Sequence, residues 1–356
     1  MGNLNEFNIL VSSGGRRLEL MQCLRAALRD NSLKGGIFVA DCSLDAPAVH
    51  LADKAWQVPL CTNPEFTEEI LRIARRENVR LVIPTIDGEL GPFASCLSAF
   101  ALNDTHVSVS DPETVKICGD KVLTHRWLTA NGFPTVRQST PAAVLSCSQE
   151  WRLPLIAKPR NGSASKGVRV IESFEKLELF SESESDLIVQ EMAHGDEHTI
   201  NVFVNKHGKC VSAVPHQRLE VRSGEVSKAV TVKNHRMMKL ASEIAEALPG
   251  ARNILNIQCF RSADNDIRVI EINARVGGGY PLAHRAGAQF THWIVEEILG
   301  LPARPVFEAW QDDLAMLRYD QAVFLPGTSI RQHSRNTKQR QTGRALDASQ
   351  TLFLDA

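Results

Sequence analysis

Residues 267–279 read IRVIEINARVGGG, and how this stretch is read decides the fold. Apolar and polar residues alternate over 269–273, so a strand here puts Ile270 and Ile272 on one face and Glu271 and Asn273 on the other. Glu271 offers a bidentate oxygen, Asn273 a neutral carbonyl oxygen and Arg275 a planar fork; hard oxygens beside a guanidinium suit a magnesium nucleotide. The glycines at 277–279 let another backbone approach closely. The same pattern also fits an amphipathic strand with solvated charges before a glycine turn, and this stretch alone leaves both readings open.

Upstream, 253–260 reads as an antiparallel partner strand across the polar turn 262–266, which places Gln258 beside Glu271. Residues 237–248 carry a helical stripe of Met238, Ala241, Ile244, Ala245 and Leu248 suited to a core. The runs 211–221 and 226–233 flank Ser223-Gly224 as a hairpin, and His216, Arg218, Glu220 and Arg222 share one face of its first strand. A solvated edge explains that stripe, and a substrate-facing Arg218 is the alternative. Strands are predicted at 198–205 and 187–190, with Glu191-Met192-Ala193, Gly195 and Glu197 between them. Residues 153–158 form an apolar strand ending in Lys158, and the loop 159–168 (PRNGSASKGV) feeds a strand at 168–171. This is not the strand-loop-helix of a Walker motif; Ser163, Ser165 and Gly167 belong either to a flap over phosphates or to an ordinary hairpin loop. A helix over 112–117 leads through Gly119-Asp120-Lys121 into a second helix to Leu128.

The first 110 residues alternate strands (8–12, 35–41, 55–58, 80–84) with helical stretches (from about 17, 46–52, 66–77), the signature of a parallel, doubly wound sheet. SSGGRR at 12–17 lacks the GxGxxG spacing of a dinucleotide site and reads as a tight strand-to-helix turn. The loop 85–89 (TIDGE) lies beyond the carboxyl end of a strand, where Asp87 and Glu89 either hold a substrate ammonium or are exposed turn acids. A helix is predicted over 292–299, and from 327 onward Arg331, Arg335, Lys338, Arg340 and Arg344 mark a basic polar tail expected to be mobile and solvated.

The 356 residues suffice for two or three domains. A formal net charge of -1 with 43% hydrophobic and 23% charged residues gives no reason to expect nucleic acid or membrane as partner. Eight cysteines, none in a CxxC or Cys/His cluster, indicate neither a zinc site nor a disulfide framework. With no basic-then-apolar leader pattern, the expected location is the cytoplasm.

Taken in order, Lys121, Lys158, the 161–167 loop, Glu191, Glu197, Gln258, Glu271, Asn273 and Arg275 resemble the ATP-grasp superfamily, and within it the members like the large subunit of carbamoyl-phosphate synthase. The resemblance spans roughly residues 8 to 300. It implies a Rossmann-like pre-ATP-grasp α/β domain over 1–110 and an ATP-grasp fold of two α+β subdomains over 111–325. The lid subdomain would lie at about 134–193, with a tail at 326–356. It implies ATP with Mg2+ (or Mn2+), Lys121 and Lys158 on the phosphates, and the loop Ser163, Ser165 and Gly167 over them. The backbone of Glu191, Met192 and Ala193 would take adenine and Glu197 the ribose. Gln258, Glu271 and Asn273 would hold metal and Arg275 the terminal phosphate; glutamine at the first metal position departs from the superfamily's usual acid. The implied chemistry is a carboxylate–amine ligase making an amide or peptide bond through an acyl phosphate, with release of ADP and phosphate. Its substrates would be small carboxylates and amines such as amino acids or peptides, and a homodimer is left open. A kinase-like or carbamate-forming enzyme and an inactive nucleotide-binding module are the alternatives.

Overall fold

The computed structural model describes residues 6–162, 166–183, 186–302 and 306–327, and the strands among them fall into three sheets. The basic residues of the tail lie outside the described residues, as do Ser163 and Ser165.

The first sheet holds β1 (Asn8–Ser12), β2 (Ile37–Asp41), β3 (Lys54–Gln57), β4 (Val79–Pro84) and β5 (His106–Val107), in the order β3-β2-β1-β4-β5. All its pairings are parallel. Parallel strands covered on both faces need continuous apolar runs, and β1 (NILVS) and β2 (IFVAD) are buried along their whole length. Helices Leu18–Asp30 and Phe66–Arg76 supply the cover with Leu20, Leu24, Leu28 and with Phe66, Ile70, Ile73. The stretch predicted as helical at 46–52 is only a 3-10 turn, Pro47–His50. The chain starts in mid-sheet and later crosses to β4, so the strand order reverses between β1 and β4. The loops after these two strands, 13–17 and 85–89, open at that switch point.

The second sheet is antiparallel and small: β6 (Gln138–Ser139), β7 (Leu155–Pro159), β8 (Arg169–Ile171) and β9 (Leu187–Glu191), in the order β6-β9-β7-β8. Its helices Pro141–Ser146 and Phe174–Ser183 close a core of its own, built from Val144, Trp151, Leu155, Ala157, Ile171, Leu177 and Val189. The third sheet is antiparallel with six strands: β10 (Asp196–Val204), β11 (Cys210–Arg222), β12 (Glu225–Thr231), β13 (Asn253–Arg261), β14 (Ile267–Asn273) and β15 (Ala315–Leu317), in the order β14-β13-β10-β11-β12-β15. Helix His235–Ala247, capped by the Asn234 side chain on the Met237 N–H, lays Met237, Met238, Ala241 and Ile244 against it.

One continuous core joins the first and third sheets, with Phe203, Tyr280, Phe290 and Trp293 in ring contact within it. The small sheet therefore faces the rest of the molecule as a separately packed body. It is tethered at its base, where Val269 N–H donates to Pro134 O and Thr135 Oγ1 donates to Val269 O. The fold thus pairs a parallel α/β domain with a grasp of two α+β units, as the sequence predicts. Among the described residues no helix is long and apolar enough to cross a membrane.

Candidate active site

A cleft of about 420 Å3 lies where the small sheet overhangs β10, β11, β13 and β14. Most of the residues singled out in the sequence line it: Lys121, Lys158, Glu191, Met192, Ala193, Glu197, Arg218, Gln258, Glu271, Asn273 and Arg275.

The floor comes from β13 and β14. Gln258 pairs directly with Glu271 in the antiparallel register, and Asn256 with Asn273. A bulge follows, since Cys259 pairs with Val269, so Ile270 has no partner of its own. Simple alternation puts Ile270 with Ile272 in the core. In the structure Ile272 is buried, whereas Ile270 lines the cleft beside Glu271 and Asn273. The bulge thus gives the floor an apolar patch, extended by Phe260, Ile156, Val168 and Met192. The result is an apolar slot next to groups suited to charge.

The terminal atom of the Asn273 carboxamide nearest the acids stands 3.2 Å from both Asp87 Oδ1 and Glu271 Oε1. Turned with nitrogen there, the amide donates to both carboxylates. Turned with oxygen there, it completes a cluster of three oxygens, the donor set of a hard divalent cation. With Gln258 across the register, these residues fit a magnesium-type ion and offer nothing to a thiophilic one.

Two lysines project from the roof. Lys158, at the end of β7, is buried, and burial pushes its ammonium down to about 8; Glu271 across the cleft pulls it back up and Lys121 lowers it. Lys121 begins helix Lys121–Ala130 and donates to Gly162 O at 2.8 Å. Asp120 fixes that position: its side chain caps the helix through the Val122 and Leu123 N–H groups and takes the Arg160 guanidinium at 2.6 Å. Neither Asp120 nor Arg160 stands out in the sequence, because a cap and an ion pair 40 residues apart have no shared periodicity. Gly167, at φ +73°, stands where a Cβ would meet the Pro159 ring at 2.8 Å, so it closes the turn between β7 and β8.

Three expectations need correction. Only the far half of the stripe on β11 is a solvated edge, with Arg222 exposed and Glu220 half-buried: His216 is 1% exposed, and burial, then Arg218 and His198, hold its imidazole down at about 3. Arg218 is also buried, and it donates to Glu197 Oε1 at 2.5 Å. Strand alternation read both as outward because what covers them is invisible in the pattern: the backbone of Gly279 packs on His216, and Glu197 takes Arg218. Second, Asp87 and Glu89 are not a pair of exposed turn acids. Asp87 accepts from Arg275 Nη2 at 2.9 Å, but Glu89 is fully buried among Ser12, Ser13 and Asp41 at the ends of β1 and β2 and does not line the cleft. The loop's 3-10 turn sends the two side chains to opposite sides. Third, the Glu191 N–H is committed to Arg137 O, at 3.0 Å, which removes that one donor from the backbone groups of 191–193 expected to meet adenine.

The glycines after Arg275 have a definite cause. A Cβ at Gly277 would meet Asn256 Oδ1 at 2.6 Å, and one at Gly279 would meet His216 Nε2 at 2.5 Å. Asn256 donates to Arg275 O, so the bare backbone here locks the residue whose guanidinium enters the cleft.

Comparison with known proteins follows this geometry. Residues 118–279 match the family model described as ATP-grasp domain, and residues 9–108 match the PylC-like, N-terminal domain. A D-alanine–D-alanine ligase of Corynebacterium aurimucosum is 27% identical over 203 residues, 54% of this chain; the match spans 56% of that relative's length. A carbamoyl-phosphate synthase of Methanobrevibacter smithii is 22% identical over 266 residues, 70% of each chain. Among solved structures, the biotin carboxylase–β,γ-ATP complex from Campylobacter jejuni superposes with a TM-score of 0.70 at 17% identity, covering 86% of this chain and 74% of that one. The last likeness is one of fold.

Proposed function

From the premise that this chain belongs to the ATP-grasp superfamily, with a PylC-like domain in front, we propose that it is an ATP-dependent carboxylate–amine ligase. It would form an amide or peptide bond through an acyl phosphate and release ADP and phosphate. The observation that carries this reading is the convergence of Lys121, Lys158, Gln258, Glu271, Asn273 and Arg275 on one cleft with an apolar slot beside it.

A carboxylate is a poor electrophile because its charge is delocalised and its oxygen is a poor leaving group. The carboxylate oxygen attacks the γ-phosphorus of ATP as the bond to ADP breaks, and the acyl phosphate so formed loses phosphate, with that oxygen, when an amine attacks its carbonyl carbon. The protein's part is position and charge. Adenine enters between Ile156, Met192, Phe260 and Ile270, where the backbone of Met192 and Ala193 is at hand. Glu197, steadied by Arg218, faces the ribose hydroxyls. Lys121 and Lys158 offset polyphosphate charge, and Arg275, held by Asp87, faces the transferring group. Gln258, Glu271 and Asn273 would hold magnesium, which supplies charge neutralisation and alignment of the phosphates when bound.

Hydroxylamine added in place of the amine tests the reaction class. The expected products are a hydroxamate and ADP, without AMP. A stable phosphorylated product would mark a kinase, and no ATP consumption with any carboxylate would mark a binding module; either outcome overturns the ligase.

Lys158 makes ATP affinity depend on pH. Its depressed value of about 8 in the free protein must rise when phosphate arrives, so binding takes up a proton above that pH. Affinity is therefore flat below about pH 8 and weakens above it. Titration calorimetry in two buffers of different ionisation enthalpy reads the proton directly. Lys158→Met is expected to abolish the uptake and weaken binding roughly 10- to 100-fold, the loss of a charged hydrogen bond. Unchanged affinity would reduce Lys158 to the end of a strand.

A further inference from the structure

Beside the nucleotide cleft a second cavity of about 190 Å3 opens at the switch point of the first sheet, sharing Asn273 and Arg275 with the cleft. Its far wall is Arg17, from the SSGGRR loop after β1, together with Glu225 of β12 and Gly278. Resting on the ligase reading above, we propose that this cavity seats the acceptor substrate as a small amino acid, and that Arg17 anchors that substrate's spectator carboxylate.

The charges require an anion there. Glu225 is shared by two guanidinium groups, Arg17 at 2.9 Å and Arg318 at 3.1 Å, so among the described residues this cluster carries one positive charge more than its ion pairs offset. Asp87 does not offset it, being paired with Arg275 at 2.9 Å. Arg17 engages Glu225 through Nη2, while its Nη1 is shielded from solvent and has no hydrogen-bond partner among the described residues. A buried guanidinium nitrogen left in this way is costly unless a ligand completes it, and a carboxylate matches its fork. Gly278 keeps the space clear: a Cβ there would stand 3.0 Å from Arg17 Nη1 and 3.3 Å from the Glu225 carboxylate. The volume suits a small ligand, being below the roughly 300–1,000 Å3 of drug-sized pockets. At the other end the oxygens of Asp87, Gln258 and Asn273 line the cavity where it meets the cleft, so an amine there finds hydrogen-bond acceptors next to the reacting group. A molecule with an amine and a carboxylate at its two ends satisfies both walls.

The test uses the full-length protein with Mg-ATP, the twenty common amino acids singly and in pairs, and the carboxamide of each amino acid that stimulates ADP release. The expected result is that at least one acceptor stimulates ADP release and that its carboxamide does so far less. Arg17→Ala should then raise the acceptor's KM roughly 10- to 100-fold with kcat changed much less, as removal of a charged hydrogen bond from a non-reacting group requires. Arg17→Lys should recover part of the loss. Glu225 keeps Arg318 in the variants, and thermal unfolding midpoints matching wild type verify their folding. An unchanged KM, a loss confined to kcat, or a carboxamide as good as the acid overturns the anchor. Mg-ATP binding without stimulation by any amino acid overturns the substrate class and leaves the nucleotide site standing. Failure to bind Mg-ATP at all overturns the ligase reading itself.

Discussion

Replacing Glu271 by alanine is expected to lower turnover roughly a thousandfold, because the change removes two things at once. The first is the one anionic group that β14 offers to a cation, and metal stabilisation of a transferring phosphoryl group is worth several kcal/mol, with each 1.36 kcal/mol a factor of ten. The second is the charge that favours the protonated form of Lys158 across the cleft. Without it, burial of that ammonium is offset by less, so the lysine loses its proton at lower pH and its hold on phosphate with it. Glu271→Gln separates the two contributions from packing, since the amide keeps the shape of the side chain and the register pair with Gln258. Both variants should lose ADP release in proportion while unfolding at the wild-type temperature. Near-normal turnover of either at saturating magnesium would remove Glu271 from the site.

Glu89→Gln is expected to stabilise the protein by about 3 kcal/mol at pH 8 and to change nothing at pH 4. Glu89 is fully buried, and burial raises its carboxyl from 4.5 to about 7, with Ser12 and Ser13 pulling down and Asp41 adding to the rise. The direction of the pH dependence follows. Between 4.5 and about 7 the folded chain keeps a proton that the unfolded chain has lost, so stability falls as pH rises through that window and is level above it. At roughly 1.4 kcal/mol per pH unit the total is about 3 kcal/mol. Chemical denaturation of wild type and variant across pH 4 to 9 gives the contribution as the gap between the two curves. Parallel curves would mean that Glu89 is ionised and compensated in the fold. The same substitution should leave acceptor KM unaltered, because the side chain does not reach the cavity where Asp87 stands.

The two acids of TIDGE illustrate where reading the chain stops. Their place beyond β4 follows from the order of strands and helices alone, and so does the candidate role of that loop. Which of the two faces the cleft depends on a single 3-10 turn, and a spacing of two residues is compatible with either outcome. Arg17 is a similar case. SSGGRR fails as a dinucleotide fingerprint, and the turn reading is correct, yet the arginine at its end becomes a wall of the second cavity through Glu225, more than 200 residues away.

What the sequence determined by itself is the set of local patterns. Apolar runs next to glycine pairs made β1 and β2 parallel and buried, and alternation with the turn at 262–266 set Gln258 opposite Glu271. These are short-range consequences of side-chain period and backbone sterics, so the chain carries them residue by residue. Tertiary structure decided whatever depends on a second surface. The bulge at Ile270 turns an apparent core residue into part of the cleft, the glycine turn and Glu197 take His216 and Arg218 from surface to interior, and packing alone makes Glu89 a buried acid and Asp87 the partner of Arg275. Burial and pairing belong to both partners of a contact, and the second partner comes from another element, which no pattern in the first can specify.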